Sequence, residues 1–213
     1  MGKTMKIDTD HPTEDVLVRA SDALARGELI VLPTDTVYGV AVAASSPDAL
    51  ERVFEAKRRD RDKAIPWLVG GVDALDVYGV DVPSYAYRLA ERWWPGALTL
   101  VVKASDRVAP EFRAADGTIA LRMPNAPYLV ELIDRLGCPI CASSANSQGL
   151  PAPASADELE RRIMDEATIV LDGGAAKVGS ASTVCICTGE EPLVGRDSAI
   201  PEDEIMEVAH VQV

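Results

Sequence analysis

Pro33-Thr34-Asp35-Thr36-Val37-Tyr38-Gly39 interrupts an apolar run with hydroxyls and a carboxylate, and the segments on either side of it decide the class of fold. Leu29-Ile30-Val31-Leu32 before it and Val40-Ala41-Val42-Ala43-Ala44 after it are continuous apolar segments of buried-strand length and composition. Two buried strands around a short polar turn carry hydroxyls and a carboxylate inward, where each needs a hydrogen-bond partner. A ligand supplies such partners as readily as the protein does, so the turn is a candidate floor of a binding site. A self-capping Asp turn accounts for the same residues.

Working outward, 213 residues with 47% hydrophobic content suffice for one domain spanning residues 1–213. No apolar run approaches the roughly 20 residues of a membrane span, and the N-terminus lacks a charged segment followed by an apolar stretch, so the expected compartment is the cytoplasm, without a membrane partner. A net charge of −13 argues against a general nucleic-acid coat protein. Lys57-Arg58-Arg59-Asp60-Arg61-Asp62-Lys63 stands against that average with five cations in seven residues. A solvated helix end carries such charges as well. Here the cluster lies between a helix and the strand-like Ile65-Pro66-Trp67-Leu68-Val69, where exposed loop cations suit a polyphosphate.

The rest of the chain alternates helical and strand patterns. Thr13 can cap a helix whose apolar stripe is Val16, Leu17, Ala20, Ala23 and Leu24, with Gly27 as its stop. Ser46-Pro47-Asp48 opens a second helix, and Ser84 to Trp93 forms another before the turn Trp94-Pro95-Gly96 and the strand Leu98 to Val102. In the strand from Thr118, residues Thr118, Ala120 and Arg122 share one face, and Arg122 there needs a counter-charge from a carboxylate ligand or a structural Asp. A helix from Pro127 to Leu136, stopped by Gly137, leads to a short strand and the loop Ser143-Ser144-Ala145-Asn146-Ser147-Gln148-Gly149. Its small donors suit local turns or an anion cradle. Ser155-x-x-Glu158 is a capping box that predicts a further helix. Strands over Ile169 to Leu171, Ser182 to Cys187 and Leu193-Val194 follow, with Arg196 on the next loop and a last helix from about Pro201.

Other chemistries find little support. Cys138-x-x-Cys141 and Cys185-x-Cys187 sit in apolar strand-like segments and read as buried free thiols rather than zinc ligands. His11 and His210 lie near the two ends and read as surface residues. Gly173 to Ser180 is glycine-rich, but no Gly-Lys-Ser/Thr is present, and no segment has the glycine spacing of a dinucleotide turn.

Pro33 to Gly39, Lys57-x-Arg59, Trp94-Pro95-Gly96, Arg122-x-Pro124, Ser144-Ala145-Asn146, Ser182-Thr183-Val184 and Arg196 together resemble, in order and spacing, the Sua5/YciO/YrdC family. The resemblance implies an α+β (α/β-like) fold, a twisted mixed β-sheet with flanking helices and a YrdC/RibB-like open concave surface. It also implies threonylcarbamoyl-AMP synthase activity, in which L-threonine, bicarbonate and ATP give threonylcarbamoyl-adenylate and pyrophosphate for the machinery that makes threonylcarbamoyladenosine in tRNA. Carried over residue by residue, it puts Thr34, Thr36, Arg122 and Ser182 around threonine, with Arg122 on the carboxylate. Lys57, Arg59, Lys63, Thr118, Ser144, Asn146 and Arg196 would hold ATP, with Lys57 and Arg59 in the catalytic role of stabilising the departing pyrophosphate and Mg2+ arriving with the phosphates. The alternative is a YciO-like protein that binds tRNA or double-stranded RNA without making an adenylate; the net charge of −13 opposes it.

Overall fold

The computed structural model describes residues 3–58 and 65–211. Among them lie strands β1 (Lys3–Lys6), β2 (Ile30–Pro33), β3 (Tyr38–Ala43), β4 (Trp67–Leu68), β5 (Leu98–Lys103), β6 (Thr118–Arg122), β7 (Ile140–Ser144), β8 (Ile169–Asp172), β9 (Thr183–Ile186) and β10 (Leu193–Arg196). They form one ten-stranded sheet in the order β1-β8-β2-β3-β7-β4-β6-β5-β9-β10. The pairs β1/β8, β2/β8, β4/β6 and β5/β9 are parallel and the others antiparallel, so the sheet is mixed as expected. The helices are α1 (Glu14–Ala25), α2 (Leu50–Lys57), α3 (Ala74–Tyr78), α4 (Ser84–Trp93), α5 (Pro127–Leu136), α6 (Arg161–Glu166) and α7 (Glu202–Ala209). None of the helices is long and apolar enough to cross a membrane.

Side-chain alternation sorts the strand residues onto two faces. Val31, Val40, Val42, Leu98, Leu100, Val102, Ile119, Leu121 and Cys185 join one apolar cluster with residues of α2, α3, α4, α6 and α7. That face is covered along nearly its whole width. On the other face Ile30, Leu32, Ala41, Ala43, Ile140, Ile169 and Leu171 pack against Leu17, Ala20 and Leu24 of α1 and Leu129 and Leu132 of α5. Their cluster extends to Leu68 of β4 and contains no residue of β6, β5, β9 or β10. Over β6, β5, β9 and β10 the same face presents Thr118, Ala120, Arg122, Thr99, Val101, Val184 and Ile186 to a cavity instead. Helices α1 and α5 end at Gly27 and Gly137, whose φ of 69° and 64° is the left-handed conformation that glycine adopts without a Cβ clash.

Several local expectations are corrected. The capping box does not form: Ser155 makes no side-chain cap, Ala156–Glu158 is a single 3-10 turn, and the Glu158 carboxylate accepts from the Ala154 N–H at 2.7 Å. Leu159, drawn into the core in an extended conformation, holds the chain out of a helix until Arg161. Thr13 likewise precedes α1 without a side-chain capping bond. Arg196 belongs to β10 rather than to the following loop, at a register shift opposite Val184. Strand β1 was not expected, because a charged, exposed edge strand carries no apolar alternation. Cys141, Cys185 and Cys187 are buried free thiols, whereas Cys138 is only half-buried.

Two substitutions separate the covered half from the open half. Leu132→Ala, beneath α5, should cost about 2–5 kcal/mol. Val101→Thr, on the half-buried cavity floor, should stay within about 0.5 kcal/mol. Urea unfolding of both variants measures the difference, and equal losses would contradict a sheet face left half uncovered.

Candidate functional site

The cavity over the open half has a volume of about 500 Å³. Thr34 and Thr36 from the β2–β3 turn, Thr118 and Arg122 of β6, Ser144 of β7, Ser182 before β9 and Arg196 of β10 all line it. Of the residues expected at the site, Lys57 and Asn146 do not line it, and Arg59 and Lys63 lie outside the described residues.

Arg122 organises one wall. Its Nη2 donates to Asp35 Oδ1 at 2.5 Å, its Nη1 to Thr36 Oγ1 at 2.7 Å and its Nε to the Gly96 carbonyl at 2.9 Å. The counter-charge that the sequence left open is therefore a structural Asp, itself buried. Burial pulls the Arg122 guanidinium below its ordinary range, and the adjacent Asp35 carboxylate opposes that shift. A guanidinium has five N–H donors and three are used here among the described residues, so the cavity-facing side can still receive a carboxylate.

The turn that carries Thr36 is held from several directions. Thr34 Oγ1 donates to the Val37 carbonyl at 2.7 Å and lies 2.9 Å from Thr36 Oγ1. Tyr128 donates to the Pro33 carbonyl, and burial raises its phenol well above the ordinary value, so it stays a donor. The Val178 and Gly179 N–H groups donate to the Asp35 and Thr36 carbonyls at 2.8 and 3.0 Å. On the opposite wall Ser182 Oγ lies 2.8 Å from Thr99 Oγ1 and accepts from Arg196 Nη2 at 3.2 Å, while Arg196 Nε donates to the Ser182 carbonyl at 2.9 Å. Thr118 Oγ1 donates to Asp116 Oδ1 at 2.7 Å at the cavity edge.

Lys57 departs most from expectation. It is 2% exposed, the last residue of α2, and not a loop cation. Its ammonium donates to the Ser144 carbonyl and, at 2.8 Å, to the Asn146 carbonyl, so it holds the loop after β7 from behind. The helix reaches there because Val53 and Ala56 bury one face of α2, which carries its last residue inward. Glu160 pins the same loop through the Ser147 N–H at 2.6 Å and the Ser147 hydroxyl at 2.8 Å, and these bonds keep its carboxyl below the usual range.

Thr99 and Asp116 also line the cavity and were not expected there. Thr99 had a readable signal, since a hydroxyl alternates with leucines in Leu98-Thr99-Leu100 and faces away from the core. Asp116 had none, being a loop residue placed by the turn into β6.

The sequence profile of the Sua5/YciO/YrdC family, described as "Telomere recombination", matches residues 22–198. A threonylcarbamoyl-AMP synthase of Bacillus subtilis is 32% identical over 203 residues, which cover 95% of this chain and 58% of that protein. One of Chromohalobacter salexigens is 34% identical over 174 residues, covering 81% of this chain and 92% of its own. The crystal structure of Pyrococcus abyssi Sua5 complexed with L-threonine superposes with a TM-score of 0.88 at 32% identity, over 96% of this chain and 60% of that one. The matched span contains every residue named above as lining the cavity, and the chain belongs to the Sua5/YciO/YrdC family.

Proposed function

We propose that this protein is a threonylcarbamoyl-AMP synthase, joining L-threonine, bicarbonate and ATP into threonylcarbamoyl-adenylate with release of pyrophosphate, for transfer to tRNA. The observation that carries the reading is the convergence of polar side chains from six separate segments on one cavity of a family member. Names and a threonine complex among its relatives support the substrate class.

In this reading the threonine carboxylate takes the remaining donors of Arg122, and the carbamate formed from its amine and bicarbonate, with loss of water, attacks the α-phosphate of ATP and displaces pyrophosphate. Ser182 lies beside the threonine, and the wall of Thr118, Ser144 and Arg196 faces the nucleotide end. Catalysis is by position and preorganised donors, and no nucleophilic side chain takes part. Lys57 acts from behind, holding the Ser144–Asn146 loop in place. Mg2+ held mainly by ATP phosphates and water needs few protein oxygens. Asp116 at the cavity edge fits that need, and the metal would supply charge neutralisation there.

With ATP, bicarbonate and L-threonine the protein should release pyrophosphate, and omission of threonine should abolish release. Tight tRNA binding with no pyrophosphate under these conditions would support the RNA-binding alternative instead. Valine, lacking the hydroxyl, should react poorly, because a buried polar group left unpaired costs about 1–3 kcal/mol.

Lys57→Met should lower both thermal stability and ATP affinity, since it strips the donors from two loop carbonyls. Arg196→Met, at an exposed residue, should weaken ATP binding with a smaller loss of melting temperature. Calorimetric melting and ATP titration on both variants check this ordering; an unchanged melting temperature for Lys57→Met would remove its supporting role.

A further inference from the structure

Two residues at the start of α6 bond away from their own helix. Glu160 occupies the capping position before Arg161–Glu166, yet its side chain makes no capping bond there. Its carboxylate accepts instead from the Ser147 N–H at 2.6 Å and the Ser147 hydroxyl at 2.8 Å. Arg162 places a cation in the first turn, where the helix dipole opposes it. Its Nη2 donates to the Glu55 carbonyl at 2.6 Å and its Nη1 to the Ala56 carbonyl at 3.2 Å, among the last carbonyls of α2, which lack partners within their own helix. A segment that gives up local helix chemistry at two positions does so for contacts elsewhere.

Both targets belong to segments assigned to the nucleotide end of the cavity. Ser147 follows Ser144 and Asn146 in the loop after β7, and Glu55 and Ala56 immediately precede Lys57, from which the sequence continues to Arg59 and Lys63. The two segments also hold each other. The Lys57 ammonium donates to the Ser144 and Asn146 carbonyls, and the Lys57 carbonyl accepts from the Gln148 N–H at 2.9 Å. Buried Ile163, in the same core cluster as Val53 and Ala56, seats α6 against α2. Glu160 and Arg162 thus bracket the pair, with one side chain on each segment, and neither residue lines the cavity.

We propose that Glu160 and Arg162 are positioning residues for ATP: they fix the spacing between the end of α2 and the loop after β7, and with it the placement of the groups that meet the nucleotide. The inference rests on ATP as the occupant of that end of the cavity. It requires a division by ligand, because the threonine end is held by separate bonds, from Arg122 to Asp35 and Thr36 and from the Val178 and Gly179 N–H groups to the β2–β3 turn. A general loss of structure would weaken both ligands alike.

Separate calorimetric titrations with ATP and with L-threonine test it. Glu160→Ala and Arg162→Met should each weaken ATP binding about fivefold and leave L-threonine binding within about twofold of wild type. Glu160→Gln, whose amide oxygen accepts from the Ser147 N–H while its amide nitrogen donates to the Ser147 hydroxyl, should stay within about twofold of wild type for ATP. Leu132→Ala, in the other apolar cluster, should lower the melting temperature without singling out ATP. Wild-type ATP affinity in both Glu160→Ala and Arg162→Met, or equal weakening of the two ligands, would overturn the proposal. Should either variant fail to fold by circular dichroism, Ser147→Ala, which removes only the hydroxyl contact, takes its place, with ATP binding about threefold weaker expected and wild-type affinity overturning the bracket. Absence of ATP binding by the wild-type protein would instead overturn the nucleotide assignment, and this inference with it.

Discussion

A guanidinium almost wholly removed from water must be paired, and the bond between Arg122 and Asp35 is the constraint around which the site is arranged. Arg122 ends β6 and Asp35 sits in the turn between β2 and β3, with β7 and β4 between them in the sheet. The pair therefore fastens the covered half of the sheet to the open half across two intervening strands. Removing either partner would strand the other charge in the interior, a loss of about 3–5 kcal/mol. Because the same guanidinium also holds Thr36 and the Gly96 carbonyl, the position of the turn, of the Trp94–Gly96 segment and of β6 are one decision.

The cavity arises from an imbalance that the strands encode. On the covered half, both faces of a strand are apolar: Ile30-Val31-Leu32 sends residues to both clusters. On the open half one face is apolar and the other mixes apolar and polar residues. Leu98, Leu100, Val102, Ile119 and Leu121 enter the core, while Thr99, Thr118 and Arg122 alternate with them and would be costly beneath an apolar helix. With α1 and α5 packed against the first half, nothing apolar is needed over the second, and a concave surface remains.

This division explains what could be read from the chain. The strands flanking Thr34 to Tyr38, helices α1, α4 and α5, and the common face of Thr118 and Arg122 were legible because periodicity and glycine stops report burial directly. The direction of Lys57 was not. A cation cluster reads as exposed by composition, and only the packing of α2 shows that its first member turns inward to carbonyls from a loop nearly ninety positions away. The partner of Arg122 was equally out of reach, since a ligand carboxylate and Asp35 satisfy the same requirement in one dimension. Thr99 was visible as a strand hydroxyl, but its bond with Ser182 joins residues 83 positions apart.

The arrangement of charge reconciles an acidic protein with a site suited to anions. Charged groups that reach the cavity also hold its hydroxyls and loops in place: Lys57 positions Ser144, Asp116 holds Thr118, and Arg122 fixes Thr36. Small hydroxyls and backbone groups whose positions are already fixed can meet a substrate with little reorganisation, which is where the electrostatic advantage of a preformed site lies. A surface rich in lysine would attract polyphosphates of every kind and leave their orientation open. A wall of fixed polar groups discriminates by geometry, so a net charge of −13 opposes indiscriminate attraction of nucleic acid while the cavity keeps its own local polarity.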